Sequence, residues 1–243
     1  MTDPHLTKLD VDGPPRAIIL VLHGGKPRSH QPVDGRSASW RRAMWLQRDI
    51  ASRAHAAGVG VWSLRYRERG WNGGADRIAD ARSALDAVRT AHGDVPVVLL
   101  GHSMGARVAV HAADDVSVVG VVGLAPWWSA EDPASTLAGR DLRAAHGRRD
   151  RITSFKETSR YVERARHVAD SAELRDMGAL GHYMLTGSAT WHGVAVDSSL
   201  ELLTARARPT STETIATPTP TASTTSESGN GPSTGELSCR SNT

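Results

Sequence analysis

Short apolar runs alternate along the chain with longer stretches in which apolar residues recur every three or four positions. Residues 17–22, Ala-Ile-Ile-Leu-Val-Leu, are apolar without a break and lead into His23. This pattern is typical of a strand that is buried on both faces. Further apolar runs predict strands at 59–66, 95–100, 116–124, 141–145 and 172–177.

The stretches between these strands show helical periodicity. They predict helices at about 40–54, 78–88, 106–113, 155–165 and 196–203. Because neighbouring parallel strands need a crossover connection, usually a helix, the alternation predicts an α/β fold. We expect a mostly parallel central sheet with helices on both faces.

Composition divides the chain near residue 208. Of the 243 residues, 39% are hydrophobic and 23% are charged, which is typical of a globular protein. From Pro209 onward Thr, Ser, Pro and Gly dominate, and such a stretch buries too little apolar surface to offset its chain entropy. We therefore predict one folded domain at 1–208 and a disordered tail at 209–243.

Charge and targeting signals narrow the choice of partners. The net charge of +3 is carried mostly by arginines, but acidic residues interrupt them, so we expect no nucleic-acid partner. The single cysteine, Cys239, cannot form an intrachain disulfide or a cysteine-based metal site. No metal-ligand cluster or phosphate-binding glycine loop stands out, so we expect no cofactor and no metal. The polar N-terminus and the short apolar runs predict a cytoplasmic protein without a membrane span.

The strongest chemical motif lies at 101–105, where Gly-His-Ser-Met-Gly follows a predicted strand and opens a predicted helix. A serine at the tip of so sharp a turn has a strained backbone, and side chains two residues away on either side would collide, which explains the glycines. The helix that begins there directs its N-terminal dipole at negative charge forming beside the hydroxyl. The motif predicts that Ser103 is a nucleophile.

Residues 16 to about 205 resemble the α/β-hydrolase family, in its small lidless serine esterase form, because this strand-serine-helix motif is followed by a candidate acid and then a candidate histidine. The resemblance implies an α/β-hydrolase fold with no large cap domain. It also implies that Asp150, in the stretch His-Gly-Arg-Arg-Asp at 146–150, is the acid of a catalytic triad. Asp132 and Asp141 are weaker candidates. Asp150 is otherwise a solvated loop residue paired with a flanking arginine.

His182 is the candidate base, since it follows a predicted strand and a short loop as the family's histidine does. It would take the proton of Ser103 during attack and return it to the leaving group. His192 competes with it but falls in or near the closing helix.

Residues 23–25, His-Gly-Gly, resemble the family's oxyanion turn. The resemblance implies that the backbone N–H groups of Gly25 and Met104 form the oxyanion hole. The other interpretation is a plain Gly-Gly turn without such a role.

Three segments are candidates for the walls of a substrate pocket. Trp127 and Trp128 begin the loop after the 116–124 strand and offer an apolar wall for an acyl group, or else they are packed loop aromatics. The 26–39 segment, rich in Pro, Ser, Gly and Arg, follows the oxyanion turn and is predicted to cover the site. Arg65, Arg67 and Arg69 near a strand end are candidates for holding an acidic substrate group.

Together these features predict a serine hydrolase whose substrate is a small acyl ester and whose intermediate is an acyl-enzyme. A thioesterase or an acyltransferase on the same scaffold remains an alternative, because fold does not decide chemistry. A non-catalytic binding protein is another.

Overall fold

The computed structural model describes residues 5–207, and the predicted tail at 209–243 lies outside them. The strands of the described part are β1 (His5–Leu9), β2 (Ala17–Leu22), β3 (Val59–Arg65), β4 (Val97–His102), β5 (Val118–Leu124), β6 (Asp141–His146) and β7 (Ser171–Asp176). Its α-helices are α1 (Ala38–Ala56), α2 (Ala75–His92), α3 (Met104–His111), α4 (Phe155–Ala165) and α5 (Ser188–Ala207). A short 3-10 helix, Ser135–Leu137, lies between β5 and β6.

The strands form one seven-stranded sheet in the order β1-β3-β2-β4-β5-β6-β7. All neighbouring pairs are parallel except β1 with β3, which is antiparallel. The prediction of a mostly parallel sheet is therefore confirmed. The strand β1 was not predicted, because its sequence His-Leu-Thr-Lys-Leu is short and polar, as suits an edge strand that is exposed to solvent on one side.

Helices cover both faces of the sheet, which explains why central strands such as β2 are apolar throughout. Ile18, Leu20 and Leu22 point to one face, where they join a core built with α2, α3 and α4. The alternate residues of the same strand, including Ile19 and Val21, pack on the other face against α1 and α5. Among the helices of residues 5–207, none has the length and apolar character needed to cross a membrane.

The carboxyl ends of the parallel strands all lie at one edge of the sheet, where ligand sites form in α/β folds. The loops after β2, β4, β6 and β7 contain the candidate residues of the site. Between β5 and β6, residues 125–140 hold no regular element in this structure apart from the 3-10 helix, in agreement with the predicted lack of a large cap domain.

Candidate active site

Ser103 occupies a strained turn between β4 and α3. Its backbone angles are φ 54° and ψ −116°, outside the regions that side chains ordinarily adopt. A Cβ atom at Gly101 would lie 2.4 Å from Ala106 Cα, and one at Gly105 would lie 2.0 Å from the Leu22 carbonyl oxygen. Both glycines are therefore required by the close packing of the turn, as the sequence motif predicts.

The structure brings Ser103, His182 and Asp150 together, although they lie in three different loops. The His182 Nε2 atom is 3.0 Å from Ser103 Oγ. On the other side of the ring, His182 Nδ1 is 2.7 Å from Asp150 Oδ2. Because the carboxylate only accepts hydrogen bonds, Nδ1 carries the proton and Nε2 is free to accept the serine hydroxyl proton. This arrangement suits proton transfer from the hydroxyl to the imidazole.

Asp150 accepts a dense set of hydrogen bonds. Thr153 Oγ1 donates to it at 2.9 Å, and the backbone N–H groups of Ile152 and Thr153 donate at 2.7 Å and 2.9 Å. His146 Nε2 lies 3.2 Å from the same carboxylate oxygen that His182 contacts. Burial alone would raise the pKa of Asp150, but the hydrogen bonds from the two histidines and from the backbone hold that pKa well below its usual range.

His146 was missed by the sequence analysis, and the flanking arginines were overestimated. Arg148 forms an ion pair with Asp176 at 2.6 Å instead of with Asp150. His146 is fully buried, and its Nε2 atom must carry the proton because it faces a carboxylate, which only accepts. Its Nδ1 atom then accepts from Thr158 Oγ1 at 2.8 Å. The available signal was its position at the end of a buried strand, four residues before Asp150.

His102, next to Ser103 in sequence, holds the loop that contains His182. Its Nε2 atom donates to the backbone carbonyl of His182 at 2.9 Å, and the two ring centroids are 5.0 Å apart. Burial, followed by the charge of His182, lowers the pKa of His102 to about 3. His102 therefore stays neutral at physiological pH and positions His182 by hydrogen bonding.

The candidate oxyanion turn packs directly against the start of α3. A Cβ atom at Gly25 would lie 2.5 Å from both the Met104 sulfur and the Arg69 carbonyl oxygen, so only glycine fits there. Met104 is the first residue of α3, and the first N–H groups of a helix have no acceptor within it. The structure thus places both predicted donor residues beside Ser103.

His23, in this turn, forms hydrogen bonds through both nitrogen atoms of its ring. Its Nδ1 atom lies 2.6 Å from the Gly24 carbonyl oxygen, and its Nε2 atom accepts the Tyr66 N–H at 3.3 Å. Burial lowers the pKa of His23 to about 4, so the ring remains neutral. The neutral ring therefore holds the shape of the turn by hydrogen bonding.

A cavity of about 410 Å³ opens above Ser103 and includes His102 and His182 in its lining. Five of its other lining residues lie between positions 26 and 39, at Lys26, Arg36, Ser37, Ala38 and Ser39. The 26–39 segment therefore contributes to the wall of the cavity.

The prediction that Trp127 and Trp128 form the acyl wall is wrong, because neither lines this cavity. Trp128 is buried in the core, where its Nε1–H donates to the Ala106 carbonyl at 3.0 Å and its ring contacts Tyr161. Trp127 faces a separate surface hollow and lies beneath the guanidinium of Arg107. The hydrogen bond holds the Trp128 ring in the core, and the cation–π contact holds the Trp127 ring at the separate hollow, so neither ring faces Ser103.

The competing candidates lie elsewhere. His192 is in α5, with its Nδ1 atom 2.7 Å from Asp49. Asp132 is buried beneath α3 and accepts hydrogen bonds from Arg107 and His111. Asp141 is at the start of β6, the end of the strand opposite to Asp150.

The arginines near the end of β3 are mostly occupied by other partners. Arg67 is paired with the buried Asp80 at 2.7 Å, so it does not offer a free charge. Arg69 does line the cavity, but it is paired with Asp34 at 2.8 Å.

Comparison with known proteins adds a family and several structural relatives. A family model described as "Alpha/beta hydrolase family" matches residues 19–222. Among curated proteins, none matches the sequence significantly.

Solved structures share the architecture at low sequence identity. An alpha-beta serine hydrolase homologue from Coxiella burnetii is 16% identical with a TM-score of 0.63, over 80% of this chain and 91% of that one. A serine hydrolase described as without lid, from Xanthomonas campestris, is 19% identical with a TM-score of 0.58, over 85% and 90%. A thermophilic esterase from Thermogutta terrifontis, with propionate bound, is 17% identical with a TM-score of 0.62, over 84% and 90%. At these identities the similarity establishes the shared fold alone.

Proposed function

Because the chain belongs to the alpha/beta hydrolase family, we propose that it cleaves carboxylic esters through an acyl-enzyme intermediate on Ser103. The observation that carries this proposal is the continuous hydrogen-bonded series from Ser103 Oγ through the His182 ring to Asp150, with contacts of 3.0 Å and 2.7 Å. This is the geometry expected of a nucleophile, its general base and the acid that orients the base.

In the first half of the reaction, Ser103 Oγ attacks the ester carbonyl carbon while its proton moves to His182 Nε2. The N–H groups of Gly25 and Met104 bind the oxygen that becomes negatively charged. His182 then donates the proton to the alcohol oxygen as the bond between carbon and that oxygen breaks. The alcohol leaves, and the acyl group remains attached to Ser103.

In the second half, a water molecule enters through the open cavity and loses a proton to His182 as its oxygen attacks the acyl carbon. The bond to Ser103 breaks, the serine recovers its proton, and the carboxylic acid is released. Asp150 remains ionised throughout, because five donors, including the Nε2–H of His146, face its carboxylate. Its charge stabilises the positively charged His182 ring in both halves.

The size of the cavity favours small esters. At about 410 Å³ it lies near the lower end of ligand pockets, which run from about 300 to 1,000 Å³. The structural relative from Thermogutta terrifontis binds propionate, a short acyl group. We therefore propose esters of short to medium chain length as substrates.

The test is hydrolysis of p-nitrophenyl acetate and butyrate by wild type and by three variants. We expect Ser103→Ala and His182→Ala to lose about 10⁴-fold or more in kcat, because removal of a triad member leaves only the oxyanion hole and binding. His167→Ala is the matched control, since His167 is exposed and outside the cavity, and it should retain full activity. A fluorophosphonate probe should label wild type but not Ser103→Ala. Undiminished turnover by Ser103→Ala would overturn the proposal.

A further inference from the structure

We propose that the ester substrate carries a carboxylate in its alcohol half, and that Arg42 binds this carboxylate at the wall of the Ser103 cavity. The inference rests on the proposed hydrolase function and adds the substrate class to it. It follows from the charge of the cavity, the contacts of Arg42 and the side of the site on which an alcohol must leave.

The cavity is strongly basic. Four cationic side chains line it, at Lys26, Arg36, Arg42 and Arg69, and no carboxylate is among its lining residues. Only Arg69 of these four has an ion-pair partner within residues 5–207, namely Asp34. A cavity with excess charge of one sign concentrates ligands of the opposite sign. The lining therefore favours an anionic substrate.

Arg42 is the cation that is best placed to bind rather than merely attract an anion. Its guanidinium lies over the ring of Tyr183 at 5.1 Å, and its Nε atom is buried without a hydrogen-bond acceptor in the described part of the chain. Burial lowers the pKa of Arg42, which means that its charge is poorly compensated by the protein. A carboxylate in the cavity would pair with this charge, because the planar guanidinium binds carboxylates through two parallel hydrogen bonds.

The start of α1 adds to this positive region. Ala38 and Ser39, its first two residues, line the same cavity, and the first turn contains no acidic side chain. Ser37, which precedes the helix, donates its hydroxyl to Asp34 and does not cap the helix N–H groups. Those N–H groups and the helix dipole therefore reinforce the attraction of an anion to Arg42.

The position of Arg42 assigns the carboxylate to the alcohol half of the ester. His182 must protonate the oxygen of the leaving alcohol, so the alcohol lies on the His182 side of the carbonyl. Tyr183, on which Arg42 packs, directly follows His182 in sequence, and its ring contacts the His182 ring at 5.4 Å. An anionic alcohol leaving past His182 thus meets Arg42.

The experiment compares 4-acetoxybenzoate with its methyl ester, methyl 4-acetoxybenzoate, which has the same scissile bond but no charge. We expect wild type to have the higher kcat/KM on the anion. In Arg42→Met the ratio of the two kcat/KM values should fall about 10- to 100-fold, mostly through KM, since a charge-assisted pair is lost. Arg42→Lys keeps the charge without the two-pronged geometry and should give an intermediate ratio.

Arg41→Met is the matched control, because Arg41 is exposed on the same helix and lies outside the cavity. Its ratio should equal that of wild type. An unchanged ratio in Arg42→Met, or an equal fall in Arg41→Met, would overturn the inference.

Binding separates this inference from the proposed function. The product 4-hydroxybenzoate should bind to Ser103→Ala, as measured by calorimetry, and binding should weaken about 10-fold or more when Arg42→Met is added. This result holds whether or not wild type turns over either ester, whereas failure of neutral-ester turnover would overturn the hydrolase proposal alone. Absence of binding to Ser103→Ala, or equal binding by both proteins, would overturn the role of Arg42.

Discussion

Gly105 is a position where one added methyl group should damage both the fold and the site. It lies at the start of α3, and a Cβ atom there would be 2.0 Å from the Leu22 carbonyl oxygen of β2. Ordinary contact begins at 3.4 Å, so the methyl must recede by the difference of 1.4 Å. Because the obstacle is strand backbone rather than a flexible side chain, the start of α3 has to move.

Ser103 immediately precedes α3 and would move with it. The 3.0 Å contact between Ser103 Oγ and His182 Nε2 would lengthen by an amount comparable to that shift. A misplacement of about 1 Å can cost about 100-fold in rate, and overpacking costs about 1–3 kcal/mol in stability. We expect Gly105→Ala to lower kcat/KM about 100-fold and to lower Tm by roughly 2–12 °C, at about 2–4 °C per kcal/mol.

Gly193 provides the matched control, because a Cβ atom there meets nothing within 4 Å and the residue lies inside α5. Gly193→Ala should therefore stabilise the protein by about 0.4–1 kcal/mol, since alanine restricts the unfolded chain. Its kcat/KM should match wild type. Thermal unfolding followed by circular dichroism and hydrolysis of p-nitrophenyl acetate measure both quantities.

Wild-type activity and Tm in Gly105→Ala would refute this reasoning, because the close approach to Leu22 would then carry no cost. Equal destabilisation by Gly193→Ala would refute it differently. In that case any added methyl would be harmful, and the geometry of the turn would explain nothing.

Two further predictions concern acidity and the acid of the site. His23 and His102 have pKa values lowered to about 4 and about 3 in the fold, against 6.5 when unfolded, so the unfolded chain binds more protons below pH 6.5. The contribution of these two histidines to the free energy of unfolding should be fully present above that pH. It should fall by about 1.4 kcal/mol per pH unit for each histidine as the pH drops toward 4. Urea unfolding curves with equal midpoints at pH 7 and pH 5 would contradict this. Asp150→Asn should lower kcat about 10⁴-fold with little change in KM, because an amide no longer holds the Nδ1–H form of His182. If steady-state kinetics give this variant more than a tenth of the wild-type kcat, Asp150 does not orient His182.

The central strands were predictable because their burial is encoded locally. The run at 17–22 matches β2, and the predicted strand at 141–145 differs from β6 by one residue. β1 escaped prediction because three of its five side chains are polar and its place in the sheet depends on pairing with β3. Periodicity reveals which residues are buried, but it does not reveal an edge strand held mainly by backbone hydrogen bonds.

The candidate site residues were likewise predictable only where their surroundings are local in sequence. Ser103 was predictable because the turn, its glycines and the flanking elements are contiguous in sequence. His146 was not identified although it lies only four residues before Asp150, because no motif marks a histidine at a strand end as a partner of the acid. Arg42 was not identified because the cavity joins its helix to loops that are far away in sequence. Trp128 was misassigned because its aromatic character suits a pocket wall equally well, and only the hydrogen bond to the Ala106 carbonyl decides in favour of the core.

The short connection between β5 and β6 has a kinetic consequence. Residues 125–140 contribute no helical flap over Ser103 in the described structure. Under the proposed mechanism, a substrate then reaches Ser103 without waiting for a flap from this connection to move, and a lipid droplet would provide no extra stimulus to turnover. The rate should follow the concentration of dissolved, monomeric ester smoothly, with no jump as the ester begins to form micelles.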